Sequence, residues 1–374
     1  MWSFDRGCSV RACDRISRAV FQPSNSATSI HFGGPDRPAS LLRNLLEQRI
    51  QATPAGGSID WMTYYFRDIA LAEALVRARR RGVRVRVCVE RWPRLRSAND
   101  PVIRLLADAD HGIGSGLLPV KHLLPLHLHT KLYAFSHPKP HALVGSFHPS
   151  GNSPKDGKIV AQIGDHDRGH NLLVEVTDAT LVAALVERVA ELHSNNGSYK
   201  WRTRSAEAFV CGDAMEGFFF PLLCRSPLVS RLHALDRGAS LRIAASHVRD
   251  PVMSKTLVRL VSRGVEVSLL TGNADHRAPR RVGDYLLRHG AAVYRFTDPA
   301  GLPMHSKFML AESDCVRWAS FGSYNLTLSS RWLNHELLMF SENPDLWDAL
   351  DRRWKEMLSS GSISRGADHL KFRL

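Results

Sequence analysis

Val83, Val85, Val87 and Val89 alternate with Arg84, Arg86 and Cys88, the period-two pattern of a half-buried strand. Just upstream, Leu71, Leu75 and Ala78 fall on one face at helical spacing. That helix opens at Asp68, where a carboxylate suits the N-cap, and stops at Gly82. With the apolar stretch from Ser58 ahead of it, the segment reads as strand, capped helix, strand.

The same unit returns from Ser240 at a constant offset of 182 residues and without a gap. Arg67-Asp68 matches Arg249-Asp250, Leu75-Val76 matches Leu257-Val258, and Arg81-Gly82-Val83 matches Arg263-Gly264-Val265, with Pro251 at the first helical position of the second copy. Leu105-Leu106 then answers Leu286-Leu287, and the strand-to-helix run from Leu172 answers the one from Leu337. The pattern predicts an α/β protein of two similar lobes, each a mixed sheet flanked by helices and related by a pseudo-two-fold axis. The divisions are an N-terminal extension (1–27), a first repeat (28–192), a polar, turn-rich linker (193–208) and a second repeat (209–374).

Length agrees, since 374 residues exceed the roughly 250 to 300 at which single cores split. A composition of 44% hydrophobic and 23% charged residues excludes a wholly disordered chain. No apolar run approaches the roughly 20 residues of a membrane-spanning helix; Phe218 to Cys224 and Leu181 to Val186 are the strongest. The N-terminal residues lack the apolar core of a secretory signal, which points to the cytoplasm, with peripheral membrane contact as a further expectation. Six scattered cysteines (Cys8, Cys13, Cys88, Cys211, Cys224 and Cys315) form no C-x-x-C pair and read mostly as buried thiols. The net charge of +14 points to a polyanionic partner, or else to basic side chains spread over a solvated surface.

Polar residues that recur in register with the repeat single out the chemistry. The first copy has His129-Thr130-Lys131 and then Gly145-Ser146-Phe147-His148; the second has His305-Ser306-Lys307 and then Gly322-Ser323-Tyr324-Asn325. An H-x-K tripeptide alone is weak, because His137-Pro138-Lys139 also fits yet sits in a Pro-rich turn with no repeat mate. Alternating apolar neighbours place each H-x-K pair on one face of a strand.

These motifs resemble those of the phospholipase D superfamily, whose two-copy members carry H-x-K-x4-D and G-S-x-N in each half. The resemblance runs from about Thr28 to about Ser359. Its second motif is near complete, with Glu312 at the Asp position and Glu336 downstream; the first departs from the pattern at Ser136, His148 and Asn171.

The residue types fit phosphoryl transfer: one neutral imidazole attacks phosphorus, a second, protonated one serves the leaving alkoxide, and two lysines hold the non-bridging oxygens. The resemblance implies that His129 is the nucleophile, His305 the acid and Glu336 the carboxylate that orients a catalytic histidine. Lys131, Lys307 and Asn325 complete the expected catalytic set, and Ser146, His148 and Ser323 are expected to bind the substrate phosphate. The two imidazoles belong about 5 to 7 Å apart. No metal or other cofactor is expected.

The expected reaction is metal-independent phosphodiester cleavage through a phosphohistidine, as hydrolase or transphosphatidylase of glycerophospholipids at a membrane surface, by a monomer. A DNA or RNA phosphodiesterase is the alternative, and a phosphate-binding protein without turnover is a third reading, motivated by the departures in the first half. His122, His127 and His129 match no metal-ligand spacing. Trp61, Tyr64, Tyr65 and Phe66 are placed in the core by the repeat, with an acyl or base-stacking groove as the other reading. Phe218-Phe219-Phe220 reads as a strand opening the second half.

Overall fold

The structure is a computed structural model and describes residues 29–122, 126–150, 157, 165, 167–197, 209–212, 214–223, 226–359 and 363–365. The expected N-terminal extension, residues 198–208 of the linker, and Cys8, Cys13 and Cys224 lie outside the described residues.

Two mixed sheets form, and their strand orders match. The first holds β1 (Ile30–Gly33), β2 (Ser58–Thr63), β3 (Arg84–Glu90), β4 (Leu117–Val120), β5 (Leu132–Phe135), β6 (His141–Gly145) and β7 (Asn171–Val176), in the order β1-β7-β6-β5-β2-β3-β4. The second holds β8 (Phe209–Cys211), β9 (Met215–Phe220), β10 (Ser240–Ala245), β11 (Glu266–Gly272), β12 (Ala292–Phe296), β13 (Lys307–Glu312), β14 (Arg317–Gly322), β15 (Glu336–Ser341) and β16 (Ile363–Arg365). Its order, β16-β12-β11-β10-β13-β14-β15-β9-β8, repeats the first sheet's and adds one strand at each edge. In both, three strands run parallel (β2-β3-β4 and β10-β11-β12) and the remaining pairs are antiparallel.

Local chemistry sets the helix ends. Asp68 accepts a hydrogen bond from the Leu71 amide (2.9 Å) at the start of α2 (Ile69–Arg80), the second helix after α1 (Leu41–Ala52). Asp250 does the same for the Val252 amide (2.8 Å) ahead of Pro251–Ser262. Both helices stop at a glycine with positive φ, +92° at Gly82 and +86° at Gly264, where a side chain would be strained.

The half-buried reading of β3 holds only for its first half. Arg84 is exposed and Arg86 half-buried, and both pair with the buried Asp60 carboxylate, but Cys88 on the same face is fully buried. The Cys88 side lies against the helix Ala179–Ser194, whose backbone passes the thiol at Val189. That helix also takes His193 and Ser194, so the first two residues of the expected linker are helical. Phe218, Phe219 and Phe220 are buried in β9, as a strand.

One apolar cluster spans both lobes, joining Leu132, Val144 and Leu172 of the first sheet to Phe308 and Leu337 of the second and to Leu257 of the helix Pro251–Ser262. A second cluster, with Trp61, Leu75 and Val87, fills the other side of the first sheet beneath α1 and α2. The Arg353 guanidinium, 1% exposed, ties the lobes further by donating to the Asp36 carboxylate and the Gly33 carbonyl. No helix among the described residues is long and apolar enough to cross a membrane.

Candidate active site

Each H-x-K element stands at the entrance of a strand, not inside one as the alternation predicts. β5 begins just after Lys131, and β13 begins at Lys307. The residues ahead of each strand are held by the opposite lobe. Leu128 forms a parallel bridge with His335, and His170 with Met304. The His129 amide donates to the His335 carbonyl (2.9 Å), and the His305 amide to the His170 carbonyl (3.0 Å). His335 and His170 immediately precede Glu336 and Asn171, the first residues of β15 and β7. Each histidine is thereby set against the opening residue of a strand from the other half.

The side chains follow the same crossed pattern. His129 Nδ1 lies 2.9 Å from both oxygens of the fully buried Glu336 carboxylate. Ser323 Oγ donates to one of these oxygens (2.5 Å) and Ser330 Oγ to the other (2.7 Å). In the mirrored position His305 Nδ1 lies 3.0 Å from Asn171 Oδ1, which also accepts from Ser146 Oγ at 3.1 Å. These partners favour the tautomer with hydrogen on Nδ1 and leave Nε2 for chemistry.

The G-S pairs explain why the serines are where they are. Ser146 exchanges two hydrogen bonds with the Leu172 backbone, and Ser323 exchanges the same two with that of Leu337. A Cβ on the preceding glycine would lie 2.1 Å from the Leu172 carbonyl oxygen at Gly145, or 2.2 Å from that of Leu337 at Gly322, so only glycine lets the strands approach this closely. Both hydroxyls thus spend their proton on the residue that holds a histidine, rather than standing open for a phosphate as the motif alone predicts.

The lysines reach into the same space. Lys131 Nζ donates to the His129 carbonyl (2.5 Å), and Lys307 Nζ donates to the His305 carbonyl (2.7 Å) and lies 3.2 Å from His305 Nε2. Burial lowers Lys131 to about 7, with Glu336 opposing the fall. Burial and then the neighbouring Lys131 hold Lys307 well below its ordinary value. Burial likewise lowers His129 to about 4 against the pull of Glu336, so its imidazole is neutral at pH 7. For Glu336 burial works upward, but His129, Lys131 and Ser323 keep the carboxyl below its usual range. The arrangement is a neutral, oriented imidazole beside two lysines whose positive charge a bound anion would favour.

His148 stands between the two histidines, with ring centroids 5.9 Å from His129 and 5.1 Å from His305. The two imidazoles are therefore no farther apart than those two legs together. The Tyr65 amide donates to His148 Nδ1 at 3.4 Å, a tautomer that puts hydrogen on Nε2 and makes the ring a donor, as an asparagine amide would be. Asn325, 7% exposed, has a buried Oδ1 with no hydrogen-bond partner; a half-turn of the amide presents its N–H groups there instead. The H-x-K-x4-D position contributes nothing nearby. Ser136 accepts from the Ser58 amide, and Glu312 is a partly exposed partner of Arg317 at the far end of a six-residue strand.

The aromatic segment divides. Trp61 and Phe66 are core, but β2 ends at Thr63, and Tyr64 and Tyr65 turn into the cavity wall, the Tyr64 ring 5.1 Å from His129. His122 stacks on His335 and His127 faces Glu90 at 3.8 Å; among the described residues no group of three or more His, Cys, Asp or Glu side chains is placed to hold a metal ion. Sequence reading missed Arg94, His247, His276 and Arg277, which line the same cavity. The repeat offset could have found them, because Tyr65 pairs with His247 and Arg94 with His276 at 182 residues.

Residues 232–358 match the family described as cardiolipin synthase, phospholipase D-like domain. The chain carries a phospholipase D-like domain. The match covers His305, Lys307, Ser323, Asn325 and Glu336, the half with the near-complete motif. No curated protein sequence matches the chain. Among solved structures, phosphatidylserine synthase from Haemophilus influenzae Rd KW20 is similar, with a TM-score of 0.63 at 13% identity over 90% of this chain and 87% of that one. Polyphosphate kinase from Porphyromonas gingivalis gives 0.58 at 14% identity over 90% of this chain but 48% of that enzyme, of which the present chain spans about half. At such identities the likeness concerns the fold alone, and it covers nearly the whole chain where the family match covers about a third.

Proposed function

We propose that this protein cleaves phosphodiesters without a metal, through a phosphohistidine on His129. The observation that carries the reading is the crossed and unequal orientation of the two histidines. Glu336, an anion, backs His129, while Asn171, a neutral amide, backs His305. A carboxylate on Nδ1–H stabilises the positive charge that His129 acquires when its Nε2 bonds to phosphorus. A neutral amide fixes the ring of His305 without placing a second negative charge behind it, which suits the acid.

In the first step the His129 Nε2–P bond forms, the P–O bond to the leaving group breaks, and that oxygen takes the proton from Nε2 of protonated His305. In the second, neutral His305 takes a proton from water or an alcohol, whose oxygen attacks phosphorus and displaces His129. Water gives hydrolysis and an alcohol gives transfer. Lys131, Lys307, His148 and Asn325 hold the non-bridging oxygens, and Ser146 and Ser323 act as positioning residues through Asn171 and Glu336. The substitutions at His148 and Asn171 leave a donor and an acceptor in place, which favours an enzyme over a phosphate-binding protein without turnover.

The substrate class we favour is a glycerophospholipid met at a membrane surface, in line with the lipid-synthase description of the matched family. A nucleic-acid phosphodiesterase is the second reading, supported by the net charge of +14 and by the aromatic wall at Tyr64 and Tyr65. One assay series separates them: phosphatidylcholine and phosphatidylglycerol vesicles, single-stranded DNA and duplex DNA, with the His305→Ala protein as the blank. Lipid turnover that vanishes in the blank supports the first reading. Nucleic-acid cleavage that vanishes there, beside intact lipid, replaces it with the second.

A further inference from the structure

The cavity beside the histidines is larger and more cationic than one scissile phosphate requires. It holds about 490 Å³, within the range of small-molecule sites. Away from His129 and His305 it is lined by Arg94, Arg249, His247, His276 and Arg277, and among the described residues that line it none is an aspartate or glutamate. A concave wall of one charge sign draws an anion, and guanidinium groups match phosphate oxygens with paired donors.

The two arginines nearest the Tyr64 and Tyr65 wall come from loops that the repeat relates. Arg94 follows β3, and His276, at the same offset as the rest of the repeat, follows β11 with Arg277 next to it. Both loops are pinned by backbone bonds: the Arg94 amide donates to the Tyr64 hydroxyl (2.7 Å), and the Arg277 carbonyl accepts from the Val248 amide (3.1 Å). Burial and then the nearby Arg94 lower the Arg277 guanidinium, and Arg277 in turn depresses Lys307 and His247. Both arginines line the one cavity that His129 and His305 also line.

We propose that Arg94 and Arg277 form a second phosphate subsite, so that the substrate carries two phosphates in tandem, one cleaved between His129 and His305 and the next held by the two guanidinium groups. The inference rests on the catalytic reading above and adds to it a preference for diesters that bear a neighbouring phosphate. The size of the cavity suits a pyrophosphate-linked small molecule, with a stretch of polynucleotide as the competing source of paired phosphates.

The test is calorimetric binding of inorganic pyrophosphate and inorganic phosphate to the purified full chain. Pyrophosphate is expected to bind at least tenfold tighter than phosphate, and Arg94→Gln and Arg277→Gln are each expected to shrink that ratio at least fivefold. Arg94 is exposed, so its variant keeps the fold where loss of the more buried Arg277 could disturb it, and a melting curve on each protein checks this. A ratio near one in the wild type, or a ratio unchanged in Arg94→Gln, overturns the subsite. Because binding is read apart from catalysis, a pyrophosphate preference without turnover of any diester overturns the enzymatic reading and leaves the subsite standing. For the source of the phosphates, a dinucleotide joined by pyrophosphate should be cleaved at higher kcat/KM than one joined by a single phosphate, and Arg277→Gln should level the two. Cleavage of internal oligonucleotide phosphates in preference to the pyrophosphate compound overturns the small-molecule source.

Discussion

Replacing Glu336 by Gln keeps the shape of the site and removes one buried charge. In the wild type that carboxylate receives His129, Ser323 and Ser330, all within 2.9 Å, and is fully shielded from solvent. When His129 bonds to phosphorus its ring becomes cationic, and two unit charges about 4 Å apart interact by about 4 kcal/mol at an effective dielectric constant of about 20. Losing that attraction only in the transition state lowers the rate of phosphoenzyme formation by about 10³-fold. The assay is a single-turnover burst with a diester of a good leaving group, which needs little help from the acid and so isolates the attack by His129. Asn171→Ala, which disturbs only the acid side, should leave that burst within about tenfold of wild type while slowing substrates with poor leaving groups. If Glu336→Gln forms the adduct within tenfold of the wild-type rate, or Asn171→Ala proves the more damaging of the two, the assignment of nucleophile and acid is wrong.

The profile of kcat/KM against pH should fall on the acid side near pH 4, where His129 takes up a proton and loses its nucleophilic lone pair, and should decline again above about pH 7 as Lys131 loses its charge; no fall on the acid side through about pH 4 refutes the first role, and no decline above about pH 7 the second. Asn171→Asp puts a carboxylate about where the amide oxygen now lies 3.0 Å from His305 Nδ1, and an NMR titration should find the His305 imidazole raised by about one to three pH units. Gly145→Ala drives a methyl group to within 2.1 Å of the Leu172 carbonyl oxygen, so urea unfolding should report a loss of about 1–3 kcal/mol, and no loss means that β6 and β7 part more easily than their register implies. His129→Ala should abolish adduct formation, His305→Ala should still trap it with a good leaving group, and activity removed by a chelator and restored by metal contradicts the mechanism.

Much of the architecture was legible because it is local. Asp68 and Asp250 cap helices through amides a few residues away, Gly82 and Gly264 end them through their own φ, and the offset of 182 residues exposes the repeat in one dimension. The strand equivalences follow from it, down to the matched order of seven strands. What the sequence hides is the crossing. Nothing in the spacing of Glu336 says that it holds His129 rather than His305, because that choice depends on how the lobes meet at Leu128 and His335. The serines mislead for a related reason: the motif assigns their proton to the ligand, while the geometry directs it to a buried acceptor that local spacing does not reveal. Tyr64 and Tyr65 read as core because the repeat aligns them with a strand, yet the strand stops at Thr63. The cationic loops after β3 and β11 carry no motif, and only the shared offset marks them.

The unequal pair behind the histidines has a consequence for direction. Were both backed by the same group, the two faces of the bound phosphorus would be interchangeable, and a diester could bind either way round with either of its ester oxygens as the one expelled. With a carboxylate behind one ring and an amide behind the other, the two binding orientations differ in energy, and the same ester oxygen faces His305 each time. On the proposed mechanism the duplicated scaffold is thereby a polarised one, in which an acid at position 336 and an amide at position 171 set which end of the substrate leaves first.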